Sequence, residues 1–170
     1  MSYSIPESEY PLYYHNYVKQ VHITSIKEGF EQSLIRISKL GNTLDGLDGE
    51  FRYQEGKWTI KELLLHIIDT ERVFSYRALA IVRGDKASLP GFEQDDYVVN
   101  CEASSRSLDS VLEEYRAVRV STLQLFGNLS ESKMKTRGVA NGNEITVRAI
   151  ALIVLGHENH HLEILKNRYL

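Results

Sequence analysis

Proline occurs at only three positions of this 170-residue chain, Pro6, Pro11 and Pro90. A proline inside a helix removes a backbone donor and clashes with the preceding turn. Its absence from 12–89 and from 91–170 leaves almost the whole chain free to be helical. The apolar residues follow that freedom. Ile23, Ile26, Phe30, Leu34, Ile37, Leu40 and Leu44 recur at spacings of three and four and define one face of a helix over 23–44. Thr24 or Ser25 is placed to cap its start. Gly41, Gly46, Gly49 and Gly56 then mark helix fraying into a loop.

A second helix starts more sharply. Thr59 followed by Glu62 has the form of a capping box, with Trp58 before the cap placed to pack on Leu63. This helix is predicted to run to Val82 or Arg83 and to stop at Gly84. Its middle, 63–68, is apolar nearly all round, which makes it a central helix. Residues 88–101 read as a crossing loop with one short helical turn. A third helix is predicted over 107–126, a turn or short hairpin over 134–144, and a fourth helix over 146–169. A short helix leads the chain at 11–21. The pattern predicts an all-α fold, a four-helix bundle in one domain over 1–170, with the segment 84–106 as a long crossover connection.

Composition removes several functional classes. With 42% apolar and 25% charged residues the chain has an ordinary globular make-up. The single Cys101 excludes disulfides and thiolate zinc clusters within one chain, and fits a reducing compartment. The first residues lack the basic stretch and apolar run of a secretory signal, and the longest apolar run, 149–155, is far too short to span a bilayer. These features predict a cytoplasmic protein with no membrane partner. Twenty basic against 23 acidic side chains give a net charge of -3, so no nucleic-acid partner is expected.

The histidines carry the chemistry. His157 and His161 stand four residues apart, about 40° apart on one helix face and one turn apart along it, so both imidazoles can reach one metal ion. The stretch from His157 to His161 is also a literal HExxH, with Glu158 in second place. The plainer reading is a pair of histidines near a helix C-terminus, complementing its dipole. Against it, the pair lies on the apolar stripe of Ile150, Ile153 and Ile164. His66 lies inside the most apolar segment of the chain and offers a third imidazole. Three neutral imidazoles hold an ion and leave a position open. Zinc suits such a site, and nickel, iron or copper also accept imidazole.

The stretches Trp58 to Arg72, Leu89 to Phe92 and Gly156 to Leu165 resemble the DinB/YfiT-like superfamily, and the resemblance covers nearly the whole chain. It implies a four-helix bundle with long connections, often a homodimer, and a divalent ion held by His66, His157 and His161. It also implies a metal-dependent hydrolase, or a transferase that uses a low-molecular-weight thiol as cosubstrate, acting on a small molecule. Zinc or nickel is the expected ion, one per chain. A non-catalytic metal or small-ligand binding bundle is the alternative. Glu158 is not carried over as a base, because about 100° of helix separates it from His157.

Other residues receive weaker assignments. Asp69, one turn after His66, is placed either to orient an imidazole or to pair with Arg72. His160 is placed either beside the ligands or at a helix interface. Arg77 and Arg148 suit an anionic substrate group or an ion pair. Tyr10, Tyr13, Tyr14 and Tyr17 read as packing residues, and Cys101 as an inert thiol. His15 and His22 have no spaced partners and are assigned no role.

Overall fold

A computed structural model describes residues 3–170. The chain opens with two 3-10 turns and the short helix α1 (His15–Lys19). Four long helices follow: α2 (Ile26–Leu44), α3 (Ile60–Arg83), α5 (Leu108–Gly127) and α7 (Val147–Arg168). Between them lie β1 (Ser88–Leu89), α4 (Gln94–Val99), α6 (Glu131–Met134), β2 (Arg137–Ala140) and β3 (Asn143–Thr146). Among the described residues no helix is long and apolar enough to cross a membrane.

The helix ends obey the capping chemistry in the sequence. The Thr59 hydroxyl accepts from the Glu62 backbone N–H at 3.0 Å, and the Glu62 carboxylate accepts from the Thr59 N–H at 2.7 Å. Ser25, not Thr24, caps α2, so that helix starts three residues later than its apolar pattern. Thr24 instead bonds the Glu28 carboxylate. Ser107 caps α5 and Thr146 caps α7. Gly84 ends α3 in a left-handed conformation.

Around the bundle the helices neighbour one another in the order α2, α5, α3, α7. Consecutive α2 and α3 are therefore diagonal, as are α5 and α7. Side-chain pairs fix the directions. Glu71 with Arg119 and Ser75 with Thr122 make α3 and α5 parallel. Ser33 with Glu158 and Arg36 with Asn159 make α2 and α7 parallel. Two parallel neighbours cannot be joined by a tight turn, so the chain from 84 to 107 crosses the length of the bundle, carrying β1 and α4. This is the long crossover predicted from the sequence.

The all-α expectation holds for the bundle, which carries one small sheet. Its hairpin starts later than the sequence signals, at Arg137 rather than near 134, because α6 occupies the preceding turn. Asn141 and Gly142 sit at its tip with φ of 49° and 72°, the left-handed pair that a two-residue hairpin turn demands. β1 adds to β2 in parallel, Leu89 opposite Ala140. Two residues are too few to show an alternating pattern, so β1 has no signal in the sequence, whereas the short helical turn expected in 88–101 is α4.

One close approach fixes α1 on α7. A side chain at Gly156 would put its Cβ 2.0 Å from the Tyr17 carbonyl oxygen. Only glycine admits α1 there, and the result seats Tyr17 beside His157.

Candidate metal centre

The buried apolar residues form two clusters, one at each end of the bundle. The first holds Phe30 of α2, Phe74 to Val82 of α3, Phe126 of α5 and Val147 to Leu155 of α7. The second holds Ile37 and Leu44, Ile60 to Ile68, Val111 and Tyr115, and Leu165. Between them each helix contributes buried polar groups: Ser33 from α2, Thr70 and Glu71 from α3, Arg119 and Thr122 from α5, and His157, Glu158 and His161 from α7. A polar belt thus crosses the middle of the bundle, and the candidate site lies in it.

The site has two halves, one made of imidazoles and one of charges. His66, from α3, is 3% exposed, and His157 and His161, from α7, are 6% and 9% exposed. The Nε2 of His66 lies 3.0 Å from that of His157 and 3.1 Å from that of His161. Nitrogens bound to one tetrahedral zinc ion stand about 3.4 Å apart, so this spacing is close to that of a ligand set. Among the described residues these three alone form the group of convergent metal-ligating atoms, with no carboxylate in it. Burial pushes the imidazoles down, His66 to about 4 and His161 to about 3, and His157 well below its ordinary value. Each is neutral near pH 7, with lone pairs available to a cation. The Nδ1 of His161 is buried without a hydrogen-bond partner among the described residues, so nothing on that side of the ring fixes its tautomer. A cation at Nε2 would fix it. The donor set therefore fits a divalent ion.

Aromatic rings wall the histidines. Trp58 lies tilted over His66 with ring centres 4.7 Å apart, and 6.4 Å from His161. Sequence reasoning gave Trp58 only a helix-start role. Tyr17 meets His157 and His160 edge-on, each at 5.5 Å.

The other half begins one residue after His157. Glu158 is fully buried and faces away from the histidines. Its carboxylate accepts from the Ser33 hydroxyl at 2.6 Å, the Tyr115 hydroxyl at 2.7 Å and the Arg36 guanidinium at 2.7 Å. Arg119 stands 3.3 Å from it and also grips Glu71 with two donors, at 3.0 and 2.8 Å. Burial pushes the Glu158 carboxyl up, but Arg119 and Arg36 outweigh it and hold it below the usual range. Glu158 is thus an ionised structural anchor, so the HExxH match does not place a base at the site. Sequence reasoning assigned no role to Glu71 or Arg119. The available signal was a lone arginine on the inward stripe between Tyr115 and Thr122, which demands a buried anion.

Two cavities flank the imidazoles. One, of about 370 Å³, reaches His157 and is lined also by Tyr17, Thr70, Phe74 and Arg77. The other, of about 310 Å³, reaches His161 beside Trp58 and Tyr169. Asp95 of α4 borders both.

The remaining candidates fall elsewhere. Asp69 pairs with Arg72 at 3.4 Å. His160 is half-buried, edge-on to His161 with ring centres 5.0 Å apart. Arg148 is held by Glu9 at 2.6 Å and by Glu131 at 3.3 Å. Burial pushes the Cys101 thiol up, as suits an unreactive cysteine. His15 bonds Tyr10 at 3.2 Å, and His22 is exposed.

Comparison with known proteins agrees with this architecture. A protein of Oceanobacillus iheyensis named "putative metal-dependent hydrolase" is 24% identical over 152 residues, covering 87% of each chain. The solved structure of YfiT from Bacillus subtilis, described as a "probable metal-dependent hydrolase with an unusual four-helix bundle topology", superposes with a TM-score of 0.70 at 13% identity. That match covers 96% of this chain and 92% of YfiT. The sequence model of the DinB superfamily matches residues 30–165, a span that contains all four long-helix contributions to the polar belt and all three convergent histidines, and the chain belongs to that superfamily.

Proposed function

We propose that this protein binds one divalent ion, zinc or nickel, through His66, His157 and His161 and is a metal-dependent hydrolase of a small molecule. The observation that carries this reading is an open set of three neutral imidazoles bordered by cavities on two sides. A closed structural site would need a fourth protein ligand. The names of the relatives support the same chemistry. An ion held by three imidazoles acts as a Lewis acid and acidifies a water or thiol presented at its open position. The chain's own residues have three tasks. His66 and the His157/His161 pair, on antiparallel helices, bring neutral donors to one point. Trp58 and Tyr17 exclude bulk water from the rings. Glu158, anchored by Ser33, Tyr115, Arg36 and Arg119, fixes the register of α7 and so the direction of His157 and His161.

The test is elemental analysis of protein purified without an affinity tag. One equivalent of ion per chain is expected, sharply reduced in His66→Ala, His157→Ala and His161→Ala and retained in His15→Ala and His22→Ala. Full occupancy in His66→Ala would end the three-ligand reading. A panel of esters, amides and epoxides, each with and without a low-molecular-weight thiol, separates hydrolysis from thiol transfer. Turnover that requires a thiol and saturates with it would assign the transferase chemistry. A cytoplasmic location, from the lone Cys101 and the lack of a secretory signal, and a homodimeric assembly, from the resemblance stated above, belong to the same reading.

A further inference from the structure

Arg77 is 3% exposed, yet no carboxylate among the described residues forms an ion pair with it. The other arginines held deep in the fold are paired: Arg119 with Glu71 and Glu158, Arg148 with Glu9. Burying an unpaired charge is costly, so a lone buried guanidinium calls for an anion from elsewhere. The protein gives Arg77 a bond to the Pro90 carbonyl at 2.7 Å and the faces of Phe74 and Phe92, at 4.9 and 5.8 Å. These hold the guanidinium in place without neutralising it. Burial pushes Arg77 below its ordinary value, with Tyr14 only partly opposing, as expected of a cation short of a counter-charge.

Arg77 lines the same cavity that reaches His157. So does Thr70, which is 5% exposed and whose hydroxyl has no hydrogen-bond partner among the described residues. A buried hydroxyl left unmade costs about 1–3 kcal/mol, and a helical threonine normally returns its hydroxyl to the preceding turn. Positions 66, 70, 74 and 77 follow one another at spacings of four, four and three, so they stand on one face of α3. From the histidines outward this face presents imidazole, hydroxyl, phenyl and guanidinium. His66 and Arg77 are eleven positions apart, about 16 Å along the helix axis.

We propose that Arg77 and Thr70 form the substrate-binding wall of this cavity, and that the substrate is a small carboxylate whose acid group sits several bonds from the atom that reacts. Arg77 takes the carboxylate, Phe74 packs against the intervening chain, and Thr70 bonds a polar group near the histidines. Glu93 and Asp95 line the exposed rim without pairing with Arg77, and they disfavour a second negative charge. A monoanion fits better than a polyphosphate. The assignment of the reacting end rests on the metal-site reading above.

The test uses ω-mercaptoalkanoates of about three to eight carbons and their neutral amides, shorter than the helix span because the His66 and Arg77 side chains and the ion take up part of it. Binding is measured by calorimetry on zinc-loaded and on metal-free protein. At the best chain length the acid is expected to bind at least about tenfold more tightly than its amide. Arg77→Gln, which keeps a polar amide without the charge, should erase that preference, and Arg77→Lys should keep part of it. Thr70→Val should weaken acid and amide alike. Circular dichroism confirms that each variant is folded. Equal binding of acid and amide at every length, or binding of neither, overturns the proposal without recourse to any variant. A preference that survives in folded Arg77→Gln overturns it as well. Zinc should strengthen both acid and amide through the thiol. An acid preference intact without any effect of zinc would overturn the metal reading and leave Arg77 as the anion site.

Discussion

At the scale of single residues, the site is a contrast between groups whose charge the fold suppresses and groups whose charge it enforces. His66 and His161 are held neutral, at about 4 and about 3, chiefly by burial. In the unfolded chain each titrates at about 6.5. As pH falls below that value the unfolded state takes protons that the folded state refuses, so stability drops until the folded values are reached. Above about pH 7 this penalty is absent. Metal-free protein should therefore lose up to about 1.4 kcal/mol per pH unit for each such histidine below about pH 6. Urea denaturation between pH 8 and 5 with a chelator measures the slope, and His66→Phe should flatten it. A wild-type stability independent of pH in that window would contradict the buried neutral imidazoles. Glu158 is the opposite case, kept ionised by Arg119 and Arg36. Glu158→Ala leaves the buried Tyr115 hydroxyl without its acceptor, while Arg119 keeps Glu71, and should cost about 1–3 kcal/mol. Glu158→Gln, which can still bond Ser33 and Tyr115, should retain the metal, whereas a base at the ion would cost activity without costing stability.

At the scale of elements, caps and close approaches decide where the side chains arrive. Thr59→Ala removes the hydroxyl side of the capping box, leaves the backbone N–H on the Glu62 carboxylate, and should cost about 1 kcal/mol with metal content unchanged. Gly156→Ala makes a sharper contrast. Alanine is the better helix former by about 1 kcal/mol, yet its Cβ would fall 2.0 Å from the Tyr17 carbonyl. The clash is with backbone, so α1 must move, and a net loss of about 1–3 kcal/mol is expected in urea denaturation. A gain in stability would mean that α1 does not pack as described. These elements were legible in the sequence to different degrees. The four long helices, their caps, the long crossover and the inward His66, His157 and His161 follow from apolar spacing and local chemistry, which act within a few residues. β1 was not legible, because its partner lies some fifty positions away and two residues carry no period. The ion network was not legible either. Arg119 stands on the inward stripe of α5, but nothing local names Glu71 as its partner until the neighbour order α2, α5, α3, α7 brings them together.

At the scale of the whole molecule, the polar belt divides the core into two apolar clusters, and the bundle has to be held together across it. Where α2, α5 and α7 meet, the holding is done by Glu158 with Ser33 and Arg119, and Arg119 carries it on to Glu71 of α3. On the side where α3 meets α7 it falls to His66, His157 and His161, neutral rings whose Nε2 atoms face one another at 3.0 and 3.1 Å. Without a proton or a cation between them, facing lone pairs repel, so this half of the belt gains most from an ion. An ion that binds the folded chain and not the unfolded one adds about 2.7 kcal/mol of stability at a free concentration 100 times its Kd. For a chain of this length that corresponds to about 5–10 °C in Tm. Chelation should therefore lower the Tm of the wild-type protein by that order, and re-addition of zinc should restore it. His161→Ala should respond to neither. A wild-type Tm unchanged after verified metal loss would mean that the two helices are already joined without the ion, and the link between metal binding and the fold would be lost.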